Sequence, residues 1–317
     1  MTKRLFVLLF GVWLTACTSQ QMPKEGAIVL GALSGPLNLP ATYVVSTNGG
    51  GGVKVSLPWE LTSLPWALGN EPEWSPDGKW IIYSTQFQVM RSEDSTIYLM
   101  RSDGSQKIAV IHNKWGSYDP SWSPDGTHIS YSGRDDNGAG IFTLDVQCFQ
   151  LNNHGCNPSP VFLTLGDGVP DWSPDGKKIV YPLKGKIFVI DSDGTGQPLN
   201  LTPNMKYCDS PKWSPDGARI VFSCYNTDQF DIWIVKPDCT NLINLTNGVG
   251  SNTQPDWSPN GSKIAFISQR EGLGKMIGTE DTIRSNAIFI MNPDGSGIVR
   301  LSLSDDEDVL WYSWLPE

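Results

Sequence analysis

Few residues in this chain could do chemistry, and their spacing argues against it. Histidine is scarce: His112, His128 and His154 are the only three in 317 residues. Acid–base catalysis needs two carboxylates, or a histidine and a partner, converging on one centre. The conspicuous carboxylates Asp77, Asp125, Asp175 and Asp216 instead occur singly, each inside the same five-residue phrase, Trp-Ser-Pro-Asp-Gly. Carboxylates distributed one per repeat would lie around a rim rather than in a pair. His128 holds a strand position occupied in the other copies by Trp80, Lys178, Arg219 and Lys263, which marks it as a solvated strand residue. No Gly-x-Ser-x-Gly elbow is present to raise a nucleophilic serine. These patterns predict a protein that is not an enzyme and that uses neither cofactor nor metal. A metal-assisted hydrolase or lyase acting on a glycan or peptide is the alternative.

The phrase itself reads as structure. Tryptophan is a large apolar anchor, proline presets the first corner of a turn, aspartate bonds its own backbone, and glycine supplies positive φ. It begins at Trp74, Trp122, Trp172 and Trp213, again at Trp257 with Asn260 in place of aspartate, and in worn form at Trp314. Spacings of 41 to 57 residues between these tryptophans signal a repeat architecture. After each turn comes a β-branched or aromatic run such as Trp80-Ile81-Ile82-Tyr83. A third run follows, such as Thr96 to Met100, and often an Asp-Gly turn (Asp103-Gly104, Asp193-Gly194, Asp294-Gly295). Fourth runs tend to finish as Leu-Thr: Leu163-Thr164, Leu201-Thr202 and Leu245-Thr246. Asp-Gly between apolar runs is a strong hairpin signal, and no stretch shows a helical period.

Four antiparallel strands per repeat describe a β-propeller blade. Five complete units are read at about 70–112, 118–165, 168–202, 209–246 and 253–303. Three N-terminal strands and one C-terminal strand, the latter carrying Trp314, remain over. The predicted fold is therefore an all-β, six-bladed propeller of four-stranded antiparallel blades, the sixth formed by N-terminal strands pairing with the C-terminal strand.

The repeat, Pro-x-Trp-Ser-Pro-Asp-Gly, then Ile-x-Tyr or Phe, then Ile-Tyr-x-Met-x-x-Asp-Gly, resembles that of the TolB-type propeller family. The resemblance covers nearly all of the chain after the leader. It implies a bacterial envelope protein, and it specifies a fold rather than a function, because the same propellers serve as peptidase lids and as stand-alone envelope proteins. TolB itself carries an α/β domain before its propeller and is soluble in the periplasm. Here about ten residues separate Cys17 from the first strand-like run.

The N-terminus reads as a targeting segment. Lys3 and Arg4 precede an apolar run from Leu5 to Leu14, too short to cross a bilayer. Leu14-Thr15-Ala16-Cys17 resembles a lipobox, which makes Cys17 the expected lipid attachment site. The predicted organisation is a lipoprotein signal peptide over 1–16, a tether over 17–26 and the propeller over 27–317. The expected location is the cell envelope, anchored in a membrane through lipid and facing the periplasm or the outside. Of the remaining cysteines, Cys148 and Cys156 bracket a short polar loop and are expected to pair. Cys208 and Cys224 flank one repeat's hairpin, and pairing them requires a one-residue bulge. Cys239 is left over.

Composition narrows the partners. A formal charge of −10 and a sequence pI of about 4.8 argue against nucleic acid and anionic lipid. Function should then lie where the repeats differ, in loops before the first strand and after the second of each blade. Those loops carry Trp115, Tyr118, Asp119, Tyr207, Asp209 and Tyr225 as candidate partner-binding residues, the aromatic types being enriched at binding hot spots. The expected partner is an envelope protein or peptide, or a glycan, bound at one mouth of the channel by a monomer. The residues before each tryptophan, Glu73, Ser121, Asp171, Lys212, Asp256 and Ser313, are expected to line the axis as a mostly acidic ring.

Overall fold

The computed structural model describes residues 27–34, 39–46, 53–55, 68–86, 95–103, 106–113, 116–135, 138–151, 156–225, 228–270, 274–275, 282–283, 286–301 and 308–314. Cys17, the leader, the tether and Trp115 lie outside them. Three strands come first: β1 (Ala27–Ser34), β2 (Leu39–Ser46) and β3 (Val53–Val55). The first blade is β4 (Leu68–Trp74), β5 (Trp80–Gln86), β6 (Ser95–Arg101) and β7 (Lys107–Asn113). The second is β8 (Ser117–Trp122), β9 (His128–Asp135), β10 (Gly138–Asp145) and β11 (Val161–Leu165). Between its last two strands sits a four-residue helix, α1 (Gln147–Gln150). The third is β12 (Asp171–Trp172), β13 (Lys178–Leu183), β14 (Lys186–Asp191) and β15 (Leu199–Asn200). The fourth is β16 (Tyr207–Trp213), β17 (Ile220–Tyr225), β18 (Phe230–Val235) and β19 (Ile243–Asn244). The fifth is β20 (Asn252–Trp257), β21 (Ile264–Ser268), β24 (Ala287–Met291) and β25 (Val299–Arg300), interrupted by a small hairpin, β22 (Gly274–Lys275) with β23 (Thr282–Ile283).

The expected count of six blades is corrected to five. Five sheets are blades of the repeating kind, each drawn from one segment of chain and each opened by the Ser-Pro-Asp-Gly or Ser-Pro-Asn-Gly turn. The remaining four-stranded sheet, in the order β26-β1-β2-β3 with β26 at Asp308–Trp314, is of a different make. Its first two strands come from opposite ends of the chain, so no such turn can join them. Ile28 faces Trp314, and the pairing is irregular between Gly31 and Ala32. Counting strand signals in fours treats this closing sheet as a blade, although it lacks the turn that defines one.

Alternation along each strand places successive side chains in two different cores. In β17, Ile220 and Phe222 join Trp213 and the third blade's Val180 and Val189, whereas Val221 faces the fifth blade's Trp257 and Phe266. The same sharing links the first blade's Trp80 and Leu99 to the second's Trp122 and Tyr131. Ile141 of the second blade packs with Tyr181 of the third. The fifth blade meets the closing sheet through Ile267, Ile288, Tyr312 and Trp314, and the Tyr312 hydroxyl donates to the Ala265 carbonyl at 2.9 Å. Each fully buried side chain of this size contributes about 1.5–3 kcal/mol, so the blades hold one another in place.

Both predicted disulfides form. Cys148 and Cys156 tie α1 to the loop after it, with Cα atoms 5.8 Å apart. Cys208 and Cys224 stand directly opposite on β16 and β17, Cα atoms 4.0 Å apart. The required bulge is present: two residues of β16, Ser210 and Pro211, stand between the pairs Asp209↔Ser223 and Lys212↔Val221, against one on β17. Cys239 is free and exposed.

Candidate functional site

The repeated turns are built alike, and their polar groups bond one another. The Ser173 hydroxyl donates to Asp175 at 2.7 Å and accepts the Lys178 N–H at 2.9 Å. The Lys177 N–H closes on the same carboxylate at 3.1 Å, and the Gly176 N–H returns to the Ser173 carbonyl at 2.8 Å. The corresponding bonds recur around Ser75, Ser123, Ser214 and Ser258, with Asn260 substituting for aspartate in the last. The five glycines have φ between 67° and 71°, the left-handed region that favours glycine. The serine hydroxyl bond, first among the causes, holds Asp125, Asp175 and Asp216 below the ordinary carboxylate value. Ionised acceptors suit that role, and the structure gives Asp125, Asp175 and Asp216, with Asp77, a turn-forming function.

The axis is less regular than the turns. The first strands contact one another around the ring, so the residue before each tryptophan faces inward. Glu73 accepts the Trp122 N–H of the next blade at 3.1 Å, and Asp171 accepts the Trp213 N–H at 2.7 Å. Asp256 instead accepts the N–H of its own neighbour, Trp257, at 2.8 Å. Lys212 reaches Asp171 at 3.4 Å and Glu73 at 3.8 Å, joining the first, third and fourth blades across the channel. Burial dominates the acidity of both carboxylates and raises their pKa, with the attraction of Lys212 opposing it. The ring is thus an ion network cross-braced by one lysine rather than a simple acidic collar. Among the described residues, no group of three or more His, Cys, Asp or Glu is placed to hold a metal ion.

Part-way along their length, the first strands of three blades are kinked. Asp119, Ser210 and Gln254 have φ of 54°, 53° and 51°, and each immediately precedes a proline. Each lies in the bulge of its strand. A left-handed non-glycine residue is uncommon, and proline restricts the residue before it further. Such strain, about 1–3 kcal/mol per residue, persists only where surrounding structure fixes it. Asp119 and Gln254 line a cavity on the axis together with Glu73, Lys212 and Tyr312.

The candidate binding residues separate into two groups. Tyr118 and Asp119 belong to the second blade; Tyr118 is half-buried and its ring folds back over Gly116, while Asp119 is buried at the axis. Tyr207, Asp209 and Tyr225 belong together on the fourth blade. Tyr207 faces Tyr225 across β16 and β17, and Tyr225 faces Phe230 across β17 and β18. Tyr207 is 48% and Tyr225 36% exposed. Sequence reasoning missed two contributors, Phe230 and Asp167. Pairing β17 with β18 through their short connection would have found Phe230; nothing in the sequence places Asp167 here.

Fold and motif together define a propeller of Trp-Ser-Pro-Asp-Gly blades. Residues 168–312 match the family model of the TolB beta propeller domain. Among solved structures, TolB from Acinetobacter baumannii is similar at a TM-score of 0.68 and 21% identity, over 94% of this chain and 69% of that one. A TolB from Agrobacterium tumefaciens aligns at a TM-score of 0.59 and 23% identity, over 88% of each chain. An oligogalacturonate lyase from Vibrio parahaemolyticus aligns at 0.51 and 16% identity, over 91% of this chain and 74% of that one. At these identities the likeness is one of fold. A search of the curated proteins gives no match.

Proposed function

We propose that the chain is a non-enzymatic binding module of the bacterial cell envelope, held to a membrane by lipid on Cys17. It recognises a protein or peptide partner at the channel mouth away from the repeated turns. The observation that carries this reading is the trio of strained residues, Asp119, Ser210 and Gln254, which kink the first strands on the way to that mouth. Strain is kept where a fixed surface is useful, and loops held on a closed scaffold lose little entropy on binding. Exposed Tyr207 and Tyr225 stand on the same side, and aromatic side chains are the common anchors of protein interfaces. A lipid on Cys17 would anchor the chain through buried methylenes, about 0.8 kcal/mol each.

The test uses the intact lipoprotein, purified from solubilised envelope with whatever it retains. One specific protein or peptide should copurify with the parent chain and be lost from a Tyr207→Ala, Tyr225→Ala double variant that still folds. Retention of the same partner by that variant would refute this mouth. Replacing Cys17 by serine should move the protein from the membrane fraction to the soluble one, and mass spectrometry should find diacylglyceryl on the parent Cys17; its absence would refute the anchor.

A further inference from the structure

The aromatic row of the fourth blade has a chemical character of its own. Phe230 meets Tyr225 edge-on at 5.4 Å and 64°, and Tyr207 at 6.1 Å and 85°. The rings therefore form an angled nest rather than a flat platform. Two carboxylates border it. Asp209 Oδ1 accepts the adjacent Ser210 N–H at 2.7 Å, and it lies 3.3 Å from where a Cβ on Gly168 would stand. Asp167, next to Gly168, accepts the Lys184 N–H at 3.0 and 3.2 Å. The Tyr207 ring covers Gly185, the residue after Lys184, so the phenol and both carboxylates share one corner between the third and fourth blades. Among the described residues, no lysine or arginine lies within ion-pair distance of Asp167 or Asp209. The Tyr207 phenol feels this charge: Asp209 first, then burial and Asp167, push its pKa up.

We propose that this corner is a docking site for a cationic side chain, arginine or lysine, presented by a peptide partner. The proposal rests on the binding-module reading and adds the partner's chemistry. An aromatic face with nearby carboxylates attracts a cation from two directions, through the ring quadrupole and through direct charge. Arginine is favoured, because its planar guanidinium can stack on a ring while bonding a carboxylate. A glycan fits less well: pyranose stacking wants an exposed flat ring face, and these rings stand edge to face. The net charge of −10 would steer a basic segment towards the protein, and this corner pairs two carboxylates with exposed rings.

The experiment uses the full chain and a fluorescein-labelled hexapeptide bearing two arginines among glycines, read by fluorescence anisotropy. Its counterpart replaces each arginine by citrulline, which keeps the shape and removes the charge. Asp209→Asn and Tyr225→Ala should each weaken the arginine peptide on the order of tenfold, and citrulline should weaken it similarly. Asp193→Asn, an exposed aspartate at the turn end, removes the same charge elsewhere and should leave affinity within about twofold. Thermal melting confirms that each variant folds. Equal loss with Asp193→Asn would show diffuse attraction and overturn the proposal, as would binding indifferent to Asp209 and Tyr225. Displacement of the peptide by a neutral oligosaccharide, with the same dependence on Tyr225 and no preference for arginine over citrulline, would assign the corner to a glycan instead. If the envelope partner is retained in a Tyr225-dependent way while the arginine peptide fails, this inference falls and the binding-module reading stands. If neither binds, both fall.

Discussion

The two ends of the same blades obey different rules. At the turn end, five hairpins repeat one set of hydrogen bonds, each using a buried serine and a carboxylate or amide two residues on. Away from the turns, three first strands share a pre-proline bulge, yet the side chains they present differ. One first strand offers a buried aspartate beside a half-buried tyrosine, another an exposed tyrosine above a disulfide, a third the Gln254 bulge against Tyr312. Repetition serves a need common to every blade, the reversal between first and second strand. Variation marks the places where that need is absent, and there selection can act on recognition. Between the ends lies the axis, where Lys212, Glu73 and Asp171 hold non-adjacent blades together.

This division can be broken from either side. The largest effect is expected at the axis. Lys212→Met leaves Glu73 and Asp171 without their cation, at a cost of about 3 kcal/mol. Both carboxylates already have pKa values raised by burial, so protonation favours the folded state, and losing Lys212 raises them further. The deficit should therefore be greatest at neutral pH and shrink as pH falls towards the ordinary carboxylate range, read as urea midpoints between about pH 8 and pH 5. A deficit independent of pH would mean that Lys212 acts through packing alone. Opening the Cys208–Cys224 bridge by replacing both with serine should cost about 2–4 kcal/mol. It should also loosen the row above it, so that partner affinity falls with stability; unchanged affinity would separate the two. At the turn end, Ser214→Ala strands the Arg219 N–H and should cost about 1–3 kcal/mol with no effect on binding. The smallest stability effect is expected for Tyr225→Ala, within about 1 kcal/mol in a thermal melt, yet partner binding should be lost.

Much of the fold was legible because it is periodic. Tryptophan anchors, Ser-Pro-Asp-Gly turns and alternating apolar runs located the strands of all five blades, and the bulge demanded by pairing Cys208 with Cys224 was countable from the hairpin. The count of blades was overread, because four strand signals do not reveal whether a turn joins the first two. The site was legible only in composition. Tyr207, Asp209 and Tyr225 share a hairpin, and the structure brings them together. Tyr118 and Asp119 belong to another blade, with the third blade lying between in chain order. Lys212 was the one basic residue of the ring; its bridging of three blades depends on distances across the axis that no local pattern encodes. Asp167 reaches the corner through the Lys184-Gly185 hairpin of its own blade, a contact that is tertiary rather than sequential.

Recognition is proposed to belong to the end of the blades away from the turns. Site-specific photo-cross-linking of the full chain in its native cells tests this, with the reactive residue placed at position 207 in one protein and at the exposed turn position 177 in another. One discrete adduct is expected from position 207 and none from 177. The same adduct from 177, with none from 207, would contradict it.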